Sequence, residues 1–125
     1  MALTASNENE KPSFEATARL KAGVESVDGT SSVVLDGELD LATVPVAEQA
    51  INDVDKGVET LVLDLRRLSF LDSSGLRFIL ATEEASGSRR VVIIRGPAQV
   101  DRVFELTGTG ARLEIVDDPS LINQG

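Results

Sequence analysis

Between Phe70 and Leu80 the sequence reads FLDSSGLRFIL, an aspartate, two serines and a glycine set between two apolar runs. A serine hydroxyl can serve as a nucleophile, cap a helix or accept a phosphoryl group, and each use needs different neighbours. Nucleophilic attack needs a base. The chain has no His, and the lysines that would have to stand in, Lys11, Lys21 and Lys56, are all distant from the motif in sequence. LDSSG also lacks the leading glycine of a Gly-x-Ser-x-Gly nucleophile elbow. Capping is a better match: Asp72, Ser73 and Ser74 are all residue types that accept hydrogen bonds from the unpaired amides of a first helical turn. One cap leaves Gly75 unexplained, because glycine inside a first turn costs up to about 1 kcal/mol against alanine. Either the helix packs closely on its neighbour or the backbone of another molecule approaches it.

A hydroxyl at a helix amino terminus is also a favourable place for a phosphate, since free amides and the helix dipole both favour negative charge there. A phosphate would add about −1.5 to −2 charges beside Asp72. Like charges forced together across an interface cost several kcal/mol, and each 1.4 kcal/mol or so is about tenfold in affinity. One phosphate at this place is therefore enough to switch a partner off. Arg77 lies one helical turn from Ser73 and Ser74; the other arginines read as ordinary surface solubility.

Other polar constellations carry less. Asp36, Glu38 and Asp40 alternate in VLDGELD, which puts three carboxylates on one strand face, but the EF-hand pattern fails because its sixth position lacks Gly and Ala47 holds its twelfth. Asp36 and Glu38 read as a solvated strand face, whereas Asp40 falls at the strand's end. Asp64, inside the apolar run LVLDL, reads as a structural hydrogen-bonding residue. GTGA, residues 108–111, reads as a helix stop, being too short for a dinucleotide fingerprint.

The elements that must position these residues follow from periodicity. Alternation of Phe14, Ala16, Ala18 and Leu20, continued by KAGVESV, predicts a strand; Asp28-Gly29 is a hairpin turn into a second, SSVVLDGEL. ATVPVAEQAINDVDKG predicts a helix capped by Thr43, with Pro45 in its first turn and Gly57 at its end. ETLVLDL is an apolar run of the buried parallel kind, and DSSGLRFILATEEA is a helix with Leu76, Ile79 and Leu80 on one face. RRVVIIR then precedes PAQVDRVFELTG, a helix opened by Pro97 and closed by Gly108, and ARLEIVDD supplies a last strand. A hairpin followed by strand-helix units predicts an α/β domain with a mixed, largely parallel sheet and covering helices. Loops after parallel strands gather on one rim; here they are GELDLAT, RRLSFLDSSG and RGPA.

Composition narrows the function. With 125 residues the chain is long enough for one domain. Residues 1–12 are unpatterned and are expected to form a disordered leader, 13–119 the domain, and 120–125 a tail. Cys, His, Trp and Tyr are absent, which removes disulfides, thiolate or imidazole metal sites and Ser-His or Cys-His pairs. No cofactor is called for. A net charge of −9 from 21 acidic and 12 basic residues disfavours nucleic acid and anionic membrane surfaces as partners. Without a long apolar run or a signal pattern, the chain is expected to act in the cytoplasm.

GELDLAT, LVLDLRRLSFLDSSGLRFIL and RGPAQVDRVFELTG, in that order and spacing, resemble the bacterial anti-sigma factor antagonists, which are single STAS domains; the resemblance runs from about Phe14 to Pro119. It implies a STAS fold and a protein that is not an enzyme. It also implies that Ser73 is the phosphoacceptor for an anti-sigma factor with serine kinase activity. Unphosphorylated, such an antagonist binds the anti-sigma factor and frees the sigma factor; phosphorylation releases it, and a PP2C-type phosphatase restores it. Asp40 and Asp72 match family acids beside the phosphoserine, with Ser74, Gly75 and Arg77 as further partner-binding residues. Thr109 and Arg66-Arg67 depart from the pattern, the first at a helix end and the second where partner choice is tuned. A monomer is expected for the free protein. The competing readings are a STAS subunit of a transporter or stress-signalling assembly that binds without a serine switch, and a small enzyme or nucleotide-binding module built on the GELD and DSSG loops.

Overall fold

Asp28 and Gly29 both have positive φ, 48° and 80°, the conformation a two-residue turn needs to match the twist of the strands it joins. They connect β1, Leu20–Val27, to β2, Thr30–Leu39, in an antiparallel hairpin. In the computed structural model, which describes residues 19–124, there follow α1 (Val44–Asn52), β3 (Thr60–Leu71), α2 (Ser73–Glu84), β4 (Arg90–Ile94), α3 (Ala98–Thr107) and β5 (Glu114–Val116). Two 3₁₀ segments, Thr109–Arg112 and Pro119–Gln124, flank β5. The sheet runs β1-β2-β3-β4-β5, and every pair after the hairpin is parallel. This is the expected α/β architecture. The strand expected from Phe14 lies outside the described residues until Leu20, as does the expected leader.

All three helices pack on one face. Leu20, Val33, Leu35, Leu61, Leu63 and Ile93 meet Val46, Ala50, Leu76, Ile79, Val100 and Phe104 there in one continuous core. The opposite face carries a second, smaller cluster of Val62, Val92, Ile94 and Ile122. β3 supplies both clusters, which explains its unbroken buried run at residues 61–65, apolar except for Asp64.

Four expectations need correction. RRLSFL is strand, not loop: β3 continues to Leu71. Its register against β2 shifts twice, between Val34/Asp36 and Gly37/Glu38. Each shift inserts one extra residue on β3, so that Leu65, Leu68 and Leu71 point inward with two exposed residues between them. α1 ends at Asn52, not at Gly57; Val54 is buried beyond the helix. Thr43 makes no side-chain cap to α1, because its hydroxyl is turned back into the preceding loop. Residues 120–124 are not a loose tail, since they belong to the 3₁₀ segment whose Ile122 is buried, and Arg90 Nη1 donates to the Ile122 carbonyl at 2.8 Å.

Among the described residues, no helix is long and apolar enough to cross a membrane. Because Ile122 closes the second cluster, Ile122→Ala should destabilise the fold by about 2 kcal/mol, read as a lower urea midpoint. An unchanged midpoint would mean that the segment adds nothing to the domain.

Candidate functional site

The carboxyl ends of β2 and β3 meet at one backbone group. The Leu39 carbonyl accepts from the Asp72 amide at 3.3 Å, which ties the end of β2 to the start of α2. Gly75 lies against the same carbonyl. A Cβ added there would stand 2.7 Å from Leu39 O and 2.6 Å from Leu71 Cδ1, well inside van der Waals contact. The need for glycine is thus internal. Gly75 is buried, so its place in the site is to let the two loops meet and not to touch a partner.

Asp72 is the N-cap of α2, and its Oδ1 accepts from the Gly75 amide at 3.0 Å. One aspartate therefore supplies the cap, and the two serines are left over. Ser73 is the first residue of α2 and is exposed. Its hydroxyl makes no hydrogen bond to any described residue, in contrast to Thr43 and Thr82, whose hydroxyls donate to backbone carbonyls. Ser74 and Arg77 point away from the core.

Asp40 opens the adjoining loop. Its Oδ1 accepts from the amides of Ala42 and Thr43 at 3.0 and 3.1 Å. The Thr43 hydroxyl donates to Glu38 O at 2.8 Å and accepts from the Asp40 amide at 2.9 Å, which closes the loop from the other side. Arg19 bridges Asp40 and Glu38, with Nη1 3.0 Å from Glu38 Oε1. The Arg19 hydrogen bond, foremost among the causes, holds the Asp40 carboxyl below the usual carboxylate range, and the Thr43 amide reinforces it. Asp40 therefore remains an anion at neutral pH.

The alternating acids of β2 do not make a metal site: no group of three or more ligating side chains occurs among the described residues. Asp36 instead faces Arg67 at 3.9 Å, and Glu38 faces Arg19. Asp64 is buried and accepts from the Arg66 backbone and guanidinium at 2.7–3.0 Å. Burial pushes its carboxyl up, but the Arg66 hydrogen bonds outweigh that and leave it lowered. The two arginines that depart from the family pattern are thus tied to acids on the sheet face opposite the helices. Thr109 exchanges a 2.8 Å hydrogen bond with Thr107 in the turn after α3.

Beside the serines the rim is apolar. A cleft of about 320 Å³ runs between α1 and α2, where Leu41, Val44 and Pro45 face Phe78 and Ala81, with Ser74 and Arg77 on its border. Leu41 is 74% exposed and Phe70 48%. Arg77 forms no ion pair among the described residues, and Glu48 of α1 lines the same cleft. The site thus joins Asp40, Asp72, Ser73, Ser74 and Arg77 on one rim around Gly75. Sequence reasoning did not single out Leu41 or Arg19. The signal for Leu41 was a large apolar residue in a loop between two acids and a helix start; Arg19 carried none.

This arrangement offers an exposed hydroxyl at a helix start, the carboxyl groups of Asp40 and Asp72, and a largely apolar cleft. Among the described residues, no base is in contact with the hydroxyl.

Comparison with known proteins gives a consistent picture. A family model described as "Mlab, STAS domain" matches residues 22–117. The anti-sigma-B factor antagonist of Staphylococcus aureus is 30% identical over 79 residues, 61% of this chain and 73% of that protein. The crystal structure of an anti-sigma factor antagonist from Mycobacterium paratuberculosis superposes with a TM-score of 0.77 at 32% identity, covering 84% of this chain and 92% of that one. SpoIIAA, an anti-sigma factor antagonist, has been solved unphosphorylated, with a TM-score of 0.64 at 26% identity over 82% of this chain and 94% of its own. The phosphorylated form of SpoIIAA from Bacillus gives a TM-score of 0.62 at 25% identity, over 82% and 97%.

The crowding at Gly75 yields a direct expectation. Gly75→Ala should cost about 1–3 kcal/mol of stability, measured by urea denaturation, because Leu39 O is backbone and cannot turn aside. No loss would show that the loops need not approach this closely.

Proposed function

Because the chain belongs to the STAS-domain family, where its relatives are anti-sigma factor antagonists, we propose that it works as a phosphorylation-switched member of that group. Unphosphorylated, it binds an anti-sigma factor that carries serine kinase activity and so frees a sigma factor in the cytoplasm. Phosphorylation of Ser73 releases it, and a PP2C-type phosphatase returns it to the binding form. The kinase brings the nucleotide and the catalytic base, and this protein is its substrate and ligand rather than an enzyme.

The observation that carries this reading is the exposed Ser73 hydroxyl at the first position of α2, next to a cap made by Asp72. Since Asp72 does the capping, Ser73 is free to be modified without unfolding the helix. The helix amino terminus tolerates the phosphate in the folded protein. A partner docked over the rim meets a different balance: about two added negative charges beside Asp72 and Asp40, brought into a desolvated contact. The apolar cleft with Ser74 and Arg77 gives the partner its grip, and the phosphate on the neighbouring Ser73 removes it.

Ser73→Ala should remain bound to the anti-sigma factor when ATP is present, whereas Ser73→Asp should bind at least about tenfold more weakly, both read by calorimetry or surface plasmon resonance. Equal binding by the two variants would leave a STAS module that docks without a serine switch.

A further inference from the structure

We propose that β1 is a self-pairing edge: two copies of the chain join antiparallel along it, with Gly23 on the twofold axis, to form one ten-stranded sheet. β1 ends the strand order and among the described residues pairs only with β2. The Glu38 amide donates to the Arg19 carbonyl at 2.8 Å, and an antiparallel ladder alternates. Lys21, Gly23 and Glu25 therefore turn their backbone groups toward β2, and Leu20, Ala22, Val24 and Ser26 turn theirs away from it, with Ala22 and Val24 carrying the self-pairing.

That parity restricts how two edges can meet, because only outward-turned residues can exchange hydrogen bonds. With Gly23 on the axis, Ala22 bonds with Val24 of the second copy and Val24 with its Ala22. In the intervening non-hydrogen-bonded positions, where side chains come closest, Lys21 faces Glu25 of the second copy and Glu25 faces its Lys21. Centring on Ala22 instead places Lys21 against Gly23, and Glu25 against an Arg19 already shared by Glu38 and Asp40. Centring on Val24 places Lys21 against Val27 and Glu25 against Gly23. The Gly23 axis is thus the one of the three that matches both charges with residues not otherwise engaged, since neither Lys21 nor Glu25 forms an ion pair among the described residues.

Gly23 supports the same axis independently. A Cβ there would meet nothing within 4 Å, so the single chain has no packing need for a glycine in mid-strand. Such a glycine marks a place where another backbone comes close. Val24, 37% exposed, would be covered by its partner strand. The self-complementary charge pattern identifies the occupant as a second copy rather than a foreign peptide. A twofold axis perpendicular to the sheet keeps all helices on one face and points the two Ser73 rims in opposite directions, so self-pairing and rim binding are compatible. The contact is small and each chain carries −9, which places the dimer among weak, reversible associations. The monomer expected from sequence is then the dilute form.

The test is sedimentation velocity on the full chain from about 1 µM to about 1 mM, with hydrogen exchange at both ends of the range. The expected result is a reversible dimer in which the Ala22 and Val24 amides gain protection. Lys21→Glu and Glu25→Lys should each weaken it at least about tenfold, and an equimolar mixture of the two variants should restore it, because every reversed charge then meets its opposite. Restoration on mixing is a result that a merely misfolded variant cannot give. Monomer at all concentrations, a dimer indifferent to both variants, or amides already protected in the monomer because residues 1–18 cover the edge would each overturn the proposal.

Discussion

The Leu39 carbonyl sits against the Asp72 amide on one side and the bare α-carbon of Gly75 on the other, and the rim depends on that approach. It brings the end of β2 to the start of α2, and with them Asp40 to the neighbourhood of Ser73. The constraint is steric as much as hydrogen-bonded. A side chain at residue 75 would collide with a backbone oxygen and with Leu71, and α2 would have to back away from the sheet. Through Leu39 and Leu71 the same contact reaches the core, since both are buried in the main cluster. The site is therefore held as rigidly as the sheet that carries it, which suits a surface that must present one hydroxyl in one place.

The charge distribution follows a division of labour. Acids on β2, β3 and β5 and at the end of β2 are matched: Asp36 by Arg67, Glu38 and Asp40 by Arg19, Asp64 by Arg66, Glu114 by Arg90. Asp40 is satisfied twice, by arginine on one side and by loop amides on the other, so it stays charged without straining its loop. Asp72 spends its carboxylate on the helix amides. What remain uncommitted at the rim, among the described residues, are the Ser73 and Ser74 hydroxyls and the Arg77 guanidinium. A chain this acidic resists further negative charge, and one added phosphate at the rim falls where that resistance is felt by a partner and not by the fold.

Much of this was legible in residue order. The parallel runs, Asp28-Gly29 as a turn, Pro97 and Gly108 at the ends of α3, and the recurrence of strand then helix all follow from local periodicity and turn chemistry. The DSSG motif could be narrowed to a cap plus a spare hydroxyl, but which residue did the capping depended on the Asp72 extended backbone. Gly75 posed a question that spacing could not answer, because Leu39 lies 36 residues away in the chain. The second half of β3 was illegible for a physical reason: two bulges turn its inward spacing into three, a period that belongs to neither a regular strand nor a loop. Ile122 was missed because a short 3₁₀ segment with one buried side chain has no period at all. Thr43 looked like a cap by residue type, and the competition between Glu38 O and the helix amides was decided by the loop.

The most direct measurement is intact mass with peptide mapping after incubation of the protein with an anti-sigma factor kinase and ATP, carried out alongside protein isolated from its own cells. The account predicts a single added phosphate, located on Ser73 and absent from Ser74. Phosphate on another residue, or none with any anti-sigma factor that binds the protein, would contradict it.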